Sequence, residues 1–460
     1  MTEQSRSEFP SRRRFLTEMS AAAAAFTIVP ARVMGRGAVP PSDLLNIAAI
    51  GSGGMGSGNI ERSSTENIVA LCDVDDVRAA EVYKKYPKAK KYRDFRKMLE
   101  DNHKNIDAVI VATPDHTHAV AAMAAIELGK HVYVQKPLTH SVYEARALTN
   151  AAREHNVMTQ MGNQGHSGEE TRILCEWIWD GAIGPVHEVH CWTDRPVWPS
   201  GVELDRPVET PPIPDTLSWY LWLGPAADRP YSPQYLPGIW RGWVDFGTGA
   251  LGDMGCHIMD AAFWSLKLKY PIRVQANASR YYSGMWERAE NKMQAFPRSS
   301  VVHYTFPARE GMPELKLHWY DGGMKPARPD ELEPGRRLPD NGLLFIGEKG
   351  VIMSGSYGSG ARIIPETQMA VYQRPAKTLP RIPNGAQGHE QDWIRACKDN
   401  EPACSNFEYS GPLSEMVLMG NLAIFNPGEV LEWDGENMVV TNNETANAYV
   451  NPPYRDGWSL

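Results

Sequence analysis

Three glycines stand at the spacing that lets a backbone bend tightly around a phosphate group. The segment Gly51-Ser52-Gly53-Gly54-Met55-Gly56 directly follows an apolar run and opens a helix-like stretch. In that setting Gly51 and Gly53 permit a tight turn and a close approach to a pyrophosphate, and Gly56 lets the helix pack against the strand. The free amides at the start of the helix would then face the phosphates. The segment therefore predicts a dinucleotide-binding loop, with a glycine-rich structural turn as the alternative.

An acidic residue follows at the distance expected for ribose recognition. Asp73 ends the next apolar run, about twenty residues beyond Gly51. A carboxylate there accepts hydrogen bonds from the adenosine ribose and repels a 2′-phosphate, which favours NAD over NADP. Arg78 is close in sequence and leaves NADP open as the second choice. The alternative role for Asp73 is the N-cap of the following helix, and one side chain cannot easily do both.

Short apolar runs alternate with helix-like stretches through the first third of the chain. Alternation of this kind predicts a parallel sheet with right-handed crossovers. The helix expected at 141–155 opens with Ser141 and Glu144 at capping-box spacing. The predicted strands lie at 45–50, 68–72, 108–112, 131–134 and 157–161, and the helices at 74–86, 95–101, 116–129 and 141–155.

The second part of the chain has a different rhythm. A helix is expected at 171–181, and a Trp- and Pro-rich stretch follows at 189–243, in which proline clusters such as 207–214 are interpreted as loop. Strands are predicted at 273–279, 300–306, 315–321, 343–346 and 351–353. The predicted fold class is α/β: an N-terminal Rossmann domain with a parallel sheet, then an α+β domain with a large, mostly antiparallel open sheet. The predicted boundaries are 1–40 for an export segment and linker, 41–162 for the Rossmann domain and 163–460 for the substrate-binding domain.

Composition and charge exclude several classes of partner. The 460 residues carry a formal net charge of −8, which does not favour nucleic acid or an anionic membrane. The six cysteines form no CxxC pair, so neither a zinc site nor any other metal is expected.

The first forty residues resemble a signal for export of folded proteins. Ser11-Arg12-Arg13-Arg14-Phe15-Leu16 is similar to a twin-arginine motif. The Ala-rich run from Met19 to Val29 is too short to span a membrane, so no span is expected in the mature protein. The segment predicts location in the periplasm or cell envelope, without a clear cleavage site. A disordered basic tail is the alternative.

Three further segments extend the pattern of the glycine motif. In order, Thr113–His118, Gln135-Lys136-Pro137 and Gly247–His257 resemble the glucose–fructose oxidoreductase, inositol dehydrogenase and rhizopine-catabolism (Gfo/Idh/MocA) family. The resemblance runs from about Leu44 to the C-terminus and is densest before residue 165 and at 246–260. It implies a Rossmann domain, an α/β domain with an open sheet that packs against another copy, and substrates that are sugars, cyclitols or their derivatives.

The resemblance also implies a reaction centre of Lys136, Asp253 and His257. Oxidation of a secondary alcohol needs a base for the hydroxyl proton and an acceptor for the hydride. Asp253 and His257 are four positions apart and share a face if they lie on a helix. His257 is expected to titrate near neutral pH, with Asp253 orienting its ring or binding a hydroxyl and Lys136 stabilising the alkoxide. A structural role for His257 is the alternative.

One position departs from the family pattern. Gln135 stands where the family usually has glutamate beside the lysine. Glutamine removes a Coulombic partner, so Lys136 is expected to lose its proton more easily or to have another role.

The remaining candidates are contacts to cofactor and substrate. Asp115, His116 and His118 resemble a metal cluster in composition, but their loop is expected beside the cofactor. The expected cofactor contacts are Gly51, Ser52, Gly53, Gly54, Met55, Gly56, Asp73, Thr113, Pro114, His116, His118, Gln135, Lys136 and Asn163. The weaker candidates for substrate contact, each equally explained by packing, are Gln164, His166, Arg195, Trp198, Arg241 and Trp243.

Three functions remain open at this point. The first is an NAD-dependent oxidoreductase of sugars, cyclitols or glycosides with a tightly held cofactor, because free cofactor is not expected outside the cytoplasm. The second is a redox-neutral, NAD-dependent glycoside hydrolase or lyase. The third is a non-catalytic sugar-binding protein.

Overall fold

The first sheet consists of short apolar strands that are largely buried on both faces. In the computed structural model, which describes residues 43–290, 292–309 and 311–460, six parallel strands pair in the order β3-β2-β1-β4-β5-β6. The predicted export signal lies outside the described residues. The strands are β1 (Asn46–Ile50), β2 (Asn67–Cys72), β3 (Lys90–Tyr92), β4 (Ala108–Val111), β5 (His131–Val134) and β6 (Thr159–Met161). Because β1 lies between β2 and β4, the strand order reverses there, and a crevice opens at the carboxyl ends.

Helices cover this sheet, and their starts follow local capping chemistry. They are α1 (Met55–Arg62), α2 (Asp76–Lys85), α3 (Phe95–Asn102), α4 (His118–Ile126) and α5 (Val142–Glu154), with 3-10 turns at His103–Asn105 and Asp115–Thr117. The capping box of Ser141 and Glu144 is present at α5, as predicted. The Rossmann architecture is confirmed. Strand β3 was missed because its sequence, Lys-Lys-Tyr, is mostly exposed and lacks an apolar run.

The second sheet is larger and almost entirely antiparallel. Among the described residues nine strands pair in the order β15-β14-β13-β7-β12-β11-β8-β16-β17, and only β7 and β12 run parallel. The strands are β7 (Val186–Trp192), β8 (Arg273–Ala278), β11 (Ser300–Phe306), β12 (Leu315–Tyr320), β13 (Gly342–Gly347), β14 (Gly350–Ser354), β15 (Arg362–Ile364), β16 (Val430–Asp434) and β17 (Val439–Val440), and β9 (Tyr282–Gly284) and β10 (Glu287–Arg288) form a separate hairpin. The predicted mostly antiparallel sheet is confirmed.

The remaining helices lie in the second part of the chain, and only some of them pack on the large sheet. They are α6 (Glu169–Trp179), α7 (Trp219–Leu223), α8 (Gly249–Ile258), α9 (Asp260–Ser265), α10 (Glu366–Val371), α11 (His389–Asp399), α12 (Phe407–Phe425) and α13 (Glu444–Asn447), with 3-10 turns at Gln164–Ser167, Pro233–Tyr235, Ile239–Gly242, Ser356–Gly358 and Gly385–Gly388. Val189 of β7 and Leu317 of β12 share a core with Leu251 of α8 and Val417 of α12. Strand β7, which is central in the sheet and extends into the Trp- and Pro-rich stretch, was not predicted from the sequence.

The Rossmann core is completed by a segment from near the C-terminus. Trp393 of α11 is fully buried in the cluster that contains Ile47 and Ala49 of β1. A ring nitrogen of His389 lies 2.7 Å from the carbonyl oxygen of Met161. The predicted boundary at 162 therefore lies between the two sheets, but α11, from beyond that boundary, packs in the core of the first sheet.

Within the described residues, no helix combines the length and apolar character that crossing a membrane requires.

Candidate active site

The loop between β1 and α1 can be formed only by glycine at two of its positions. Gly51 has a φ of +83°, and a Cβ there would lie 2.5 Å from the carbonyl oxygen of Ala112. A Cβ on Gly56 would lie 1.9 Å from the carbonyl oxygen of Gly51. The first of these glycines lets the strand turn sharply, and the other lets α1 approach it. The loop therefore has the form that the sequence predicts for pyrophosphate binding.

The carboxylate of Asp73 is tied to this loop. The amides of Ser52 and Gly53 donate hydrogen bonds of 2.8 and 3.0 Å to its Oδ2, and the amide of Asp75 donates to Oδ1 at 3.0 Å. Burial raises the pKa of Asp73, and these three backbone hydrogen bonds oppose the rise. Helix α2 is capped by Asp75, whose side chain accepts from the amides of Val77 and Arg78. Asp73 is therefore not an N-cap, and it holds the glycine loop in place.

A cavity of about 430 Å³ opens at the carboxyl ends of β1 and β4. The hydroxyl of Thr113 is buried on its wall and has no hydrogen-bond partner among the described residues. The residues of the predicted cofactor loops that line it are Gly51, Gly53, Gly54, Met55, Asp73, Thr113, Pro114, Gln135 and Lys136, and the opposite wall includes Leu221, Trp222, Leu236, Trp240, Arg241 and Trp458. The cavity fits a dinucleotide, because it combines a glycine loop, the Asp73 carboxylate as an acceptor for a ribose and the unpartnered hydroxyl of Thr113.

Lys136 lies at the end of this cavity, where it forms an ion pair with the second half of the chain. Its Nζ donates to the side chain of Asp253 at 2.9 Å and to the carbonyl oxygen of Asp253 at 2.7 Å. Arg241 Nε donates to the same carboxylate at 3.0 Å, and Arg195 Nε lies 3.9 Å from it. Burial favours the neutral acid, but the charges of Lys136 and Arg241 outweigh it and lower the pKa of Asp253 to about 2. Asp253 is therefore a carboxylate held by cations.

His257 follows Asp253 by one turn of α8 and is only 6% exposed. Its ring lies edge-on to Tyr357, with the centroids 4.9 Å apart, and Nδ1 has no hydrogen-bond partner within the described residues. Burial and the charge of Lys136 lower the pKa of His257 to about 3. The expectation that His257 titrates near neutral pH is therefore corrected: its imidazole is neutral there. The side-chain hydrogen bonds of Asp253 go to Lys136 and Arg241 and do not orient the His257 ring.

Gln135 turns away from Lys136 and into the Rossmann core. Its amide donates to Asn59 Oδ1 at 3.0 Å, and Asn59 Nδ2 donates to Glu390 at 2.7 Å. Arg62 completes the chain of contacts with an ion pair to Glu390 at 2.7 Å. The carboxylate that pairs with Lys136 is therefore Asp253, and the substitution at 135 does not leave the lysine without a Coulombic partner.

The two histidines of the segment Thr113–His118 have structural positions. The ring nitrogens of His116 lie 3.2 and 3.0 Å from the carbonyl oxygens of Phe246 and Trp222, and burial lowers its pKa to about 3. Those of His118 lie 2.9 Å from the carbonyl oxygens of Pro137 and Thr113. Both rings are buried, and neither lines the cavity. The expectation of direct cofactor contact is corrected: His118 ties the Thr113 loop to the Lys136 loop.

The three candidates that follow β6 do not line the cavity. Asn163 accepts from Ser405 Oγ at 2.6 Å, and its buried Nδ2 has no partner among the described residues. Gln164 begins the 3-10 turn and is partly exposed. His166 is buried 3.1 Å from the carboxylate of Asp260 and stacked on Trp264. The structure thus places His166 in the core, where it has no free face for a sugar.

The tryptophan candidates differ in the same way. Trp243 is buried in an aromatic cluster, and its Nε1 donates to the carbonyl oxygen of Gln234 at 3.0 Å, so the expectation of substrate contact is corrected. Trp198 is partly buried, and its Nε1 has no partner in the described part of the chain. Trp240 was not predicted from the sequence, but it lines the cavity with the Arg241 guanidinium 4.2 Å from its ring. Its only signal in the sequence was its position next to Arg241.

Comparison with protein families agrees with this geometry in both halves of the chain. A family model described as an oxidoreductase family with an NAD-binding Rossmann fold matches residues 45–163. The C-terminal alpha/beta domain of the same oxidoreductase family matches residues 192–294. The chain belongs to the Gfo/Idh/MocA family. The predicted family and its NAD-binding Rossmann domain are confirmed.

Individual members of the Gfo/Idh/MocA family are distant relatives. A levoglucosan dehydrogenase of Pseudarthrobacter phenanthrenivorans is 26% identical over 42% of this chain and 40% of its own length. A glycosyl hydrolase family 109 protein of Shewanella pealeana is 28% identical over 32% of this chain and 34% of its own. The matched region therefore spans less than half of these relatives. The crystal structure of an oxidoreductase domain protein from Kribbella flavida has the same fold, with a TM-score of 0.54, 20% identity and coverage of 85% of this chain and 99% of that one.

Replacement of Asp73 by serine tests which cofactor the Gfo/Idh/MocA cleft selects. Loss of charge-assisted hydrogen bonds to the ribose is expected to weaken NAD⁺ binding by about 1.5–3 kcal/mol, roughly 10- to 150-fold. NADP⁺ binding is expected to weaken less, because the repulsion of its 2′-phosphate disappears. The measurement is the ratio of the two dissociation constants, in which any loosening of the glycine loop cancels. An unchanged ratio would contradict ribose recognition by Asp73.

A second experiment tests the network beneath Lys136. In Gln135→Glu a carboxylate faces Asn59 Oδ1, and a flip of the Asn59 amide turns its oxygen toward Glu390 instead. In either orientation of the Asn59 amide, its oxygen faces a carboxylate oxygen with no hydrogen between them. This contact is expected to lower the free energy of unfolding by about 1–3 kcal/mol. Glu390→Gln should offset part of this loss in the double variant, since the side-chain amide introduced at position 390 can donate to the flipped oxygen of Asn59. Urea unfolding of the two single variants and the double variant measures the coupling, and additive effects would rule the network out.

Proposed function

We propose that this protein oxidises a secondary alcohol of a sugar or related polyol, with NAD held in the Rossmann cleft. One observation carries the proposal. Lys136 lines the cavity behind the glycine loop, and its ammonium is held by Asp253 from the second half of the chain. A charged group positioned by the substrate-binding half thus lies at the end of the dinucleotide cleft. Resemblance to a levoglucosan dehydrogenase supports a carbohydrate substrate.

The residues of the centre divide the work of alcohol oxidation. The glycine loop and Asp73 would hold NAD⁺, which would supply the hydride acceptor. The ammonium of Lys136 stabilises negative charge on the substrate oxygen as its proton leaves. His257 is neutral at neutral pH and can receive that proton. Because its pKa is low, it is a weak base, and the proton transfer requires that Lys136 stabilise the alkoxide. Arg241 and Arg195 keep guanidinium donors beside Asp253, in position to bind neighbouring hydroxyls.

A redox-neutral glycoside hydrolase or lyase is the second candidate. Similarity to a glycosyl hydrolase family 109 protein favours it. In such a reaction the substrate alcohol is oxidised, the adjacent C–H becomes acidic, the glycosidic oxygen leaves by elimination and the carbonyl is reduced again. Water adds to the unsaturated intermediate in the hydrolase, so electrons balance without an outside oxidant. The same Lys136 and His257 serve both reactions.

Export supplies a reason for a resident cofactor. The arginine-rich segment at 11–16 supports transport of a folded protein to the periplasm or cell envelope. No free NAD is available to a protein there, so the cofactor is exported bound to the protein, and its oxidation state is restored within the site. Restoration requires either a second substrate that is reduced or the redox-neutral reaction. Assembly of several copies is also part of the proposal, by analogy with the family.

Denaturation of purified protein tests the resident cofactor. We expect one NAD(H) per chain in the supernatant, measured by an enzymatic cycling assay. Incubation with free sugars and nitrophenyl glycosides then separates the two reactions, because cleavage without net NADH indicates the redox-neutral one. Protein that is purified without cofactor and needs millimolar NAD⁺ would overturn the idea of a resident group.

Replacement of Lys136 tests the reaction centre itself. Lys136→Met is expected to lower kcat/KM by about 100- to 1,000-fold, because the charge that stabilises the alkoxide is removed. Lys104→Met, on the exposed surface, is the matched control and should retain activity. His257→Asn should lower the rate without removing any limb of the pH profile between pH 6 and 8, since the pKa of His257 is about 3. Unchanged kcat/KM in Lys136→Met would contradict the role of Lys136, and unchanged biological activity without measurable turnover would favour the non-catalytic, sugar-binding alternative.

A further inference from the structure

Three histidines form a row across neighbouring strands of the large sheet. His190 on β7 is paired with His318 on β12, which is paired in turn with His303 on β11. Glu188 lies two residues before His190 and therefore points to the same face of β7. We call these four residues the histidine row. They are partly buried.

The row lies on the face opposite the reaction centre. The side chains that alternate with it, such as Cys191 and Leu317, pack into the core shared with Leu251 and Cys256 of α8. Helix α8 also carries Asp253 and His257. The alternation of side chains along a strand thus separates the row from the dinucleotide cleft by the thickness of the sheet.

Three polar atoms of the row converge at the spacing of metal ligands. Glu188 Oε1 lies 3.1 Å from His190 Nε2 and 3.2 Å from His318 Nε2. Ligands about 2.0–2.1 Å from a tetrahedral ion are about 3.3 Å from one another, so small movements would admit an ion between them. We propose that Glu188, His190 and His318 bind a divalent transition-metal ion of the Zn²⁺ class.

Outer partners hold both imidazoles in the orientation that this coordination requires. His318 Nδ1 lies 2.7 Å from His303 Nδ1, and His190 Nδ1 lies 3.1 Å from the hydroxyl of Tyr320. When each Nδ1 carries the proton and donates it, the two Nε2 atoms keep their lone pairs for the ion. Metal-binding histidines usually have such a second hydrogen bond, which fixes the tautomer and the ring. His303 and Tyr320 are therefore positioning residues.

The donor atoms of the row decide which class of ion it fits. Two nitrogens and one carboxylate oxygen suit Zn²⁺ and its neighbours better than Mg²⁺ or Ca²⁺, which prefer oxygen ligands. Three protein ligands leave a fourth position for water or a group from another molecule.

Zinc titration of the untagged full-length protein tests the site. After treatment with EDTA and dialysis, we expect one Zn²⁺ per chain by calorimetry and by elemental analysis. His318→Ala and Glu188→Gln should weaken binding by more than the roughly 10- to 100-fold typical for loss of an outer partner, the range expected for His303→Ala. His187→Ala, exposed on the same strand, is the matched control and should bind zinc as the wild type does.

Cobalt gives a readout that a structural defect would not imitate. Co²⁺ in the wild-type protein should show the intense visible absorption of tetrahedral coordination, and excess Mg²⁺ should not remove it. Circular dichroism confirms that each variant is folded. Absence of bound zinc in the wild type, or zinc affinity within twofold of wild type in both folded Glu188→Gln and His318→Ala, would overturn the proposal.

Discussion

The ion pair between Lys136 and Asp253 joins the two halves of the chain where the cofactor cleft ends. Both side chains are nearly buried, so each loses hydration that the pair must replace. Arg241 donates to the same carboxylate oxygen as Lys136, and Arg195 lies 3.9 Å from the other oxygen, so three cations surround the buried carboxylate. Removal of one partner from such a pair typically costs about 3–5 kcal/mol, because the other charge is left buried and unpaired. The position of the Lys136 ammonium, and with it the proposed chemistry, therefore depends on α8 and on the turn that carries Arg241.

The same electrostatics decide what His257 can do. Packed against Tyr357 and one turn from Asp253, its imidazole is kept neutral by burial and by the charge of Lys136. A neutral ring can receive a proton only if the alkoxide that remains is stabilised, so lysine and histidine act as one unit. Gln135 belongs to a different unit. It is part of the polar chain through Asn59 to Glu390, which connects the base of the lysine loop to α11.

Helix α11 shows how closely the two halves depend on each other. It comes from near the C-terminus, yet Trp393 fills the core under β1, and His389 contacts the carbonyl oxygen of Met161 at the end of β6. The two faces of the large sheet also differ in what they contact. One face packs on α8 and α12 and positions Asp253 and His257. The other face carries the histidine row.

Features that depend on neighbours in sequence could be predicted from the sequence alone. Examples are the glycine loop, the buried strands β1 and β4, the capping box at Ser141 and the placement of Asp73 at a strand end, because each follows from backbone sterics or local hydrogen bonding. Strand β7 was missed since its outward positions are Glu188 and His190, which disguise an alternating pattern within a Trp- and Pro-rich region. The convergence of Arg195 and Arg241 on Asp253, the low pKa of His257, the return of α11 and the alignment of three histidines were decided only by the tertiary structure. Each depends on strand register, burial or charges brought together from distant parts of the chain, and residue spacing carries no information about these distances.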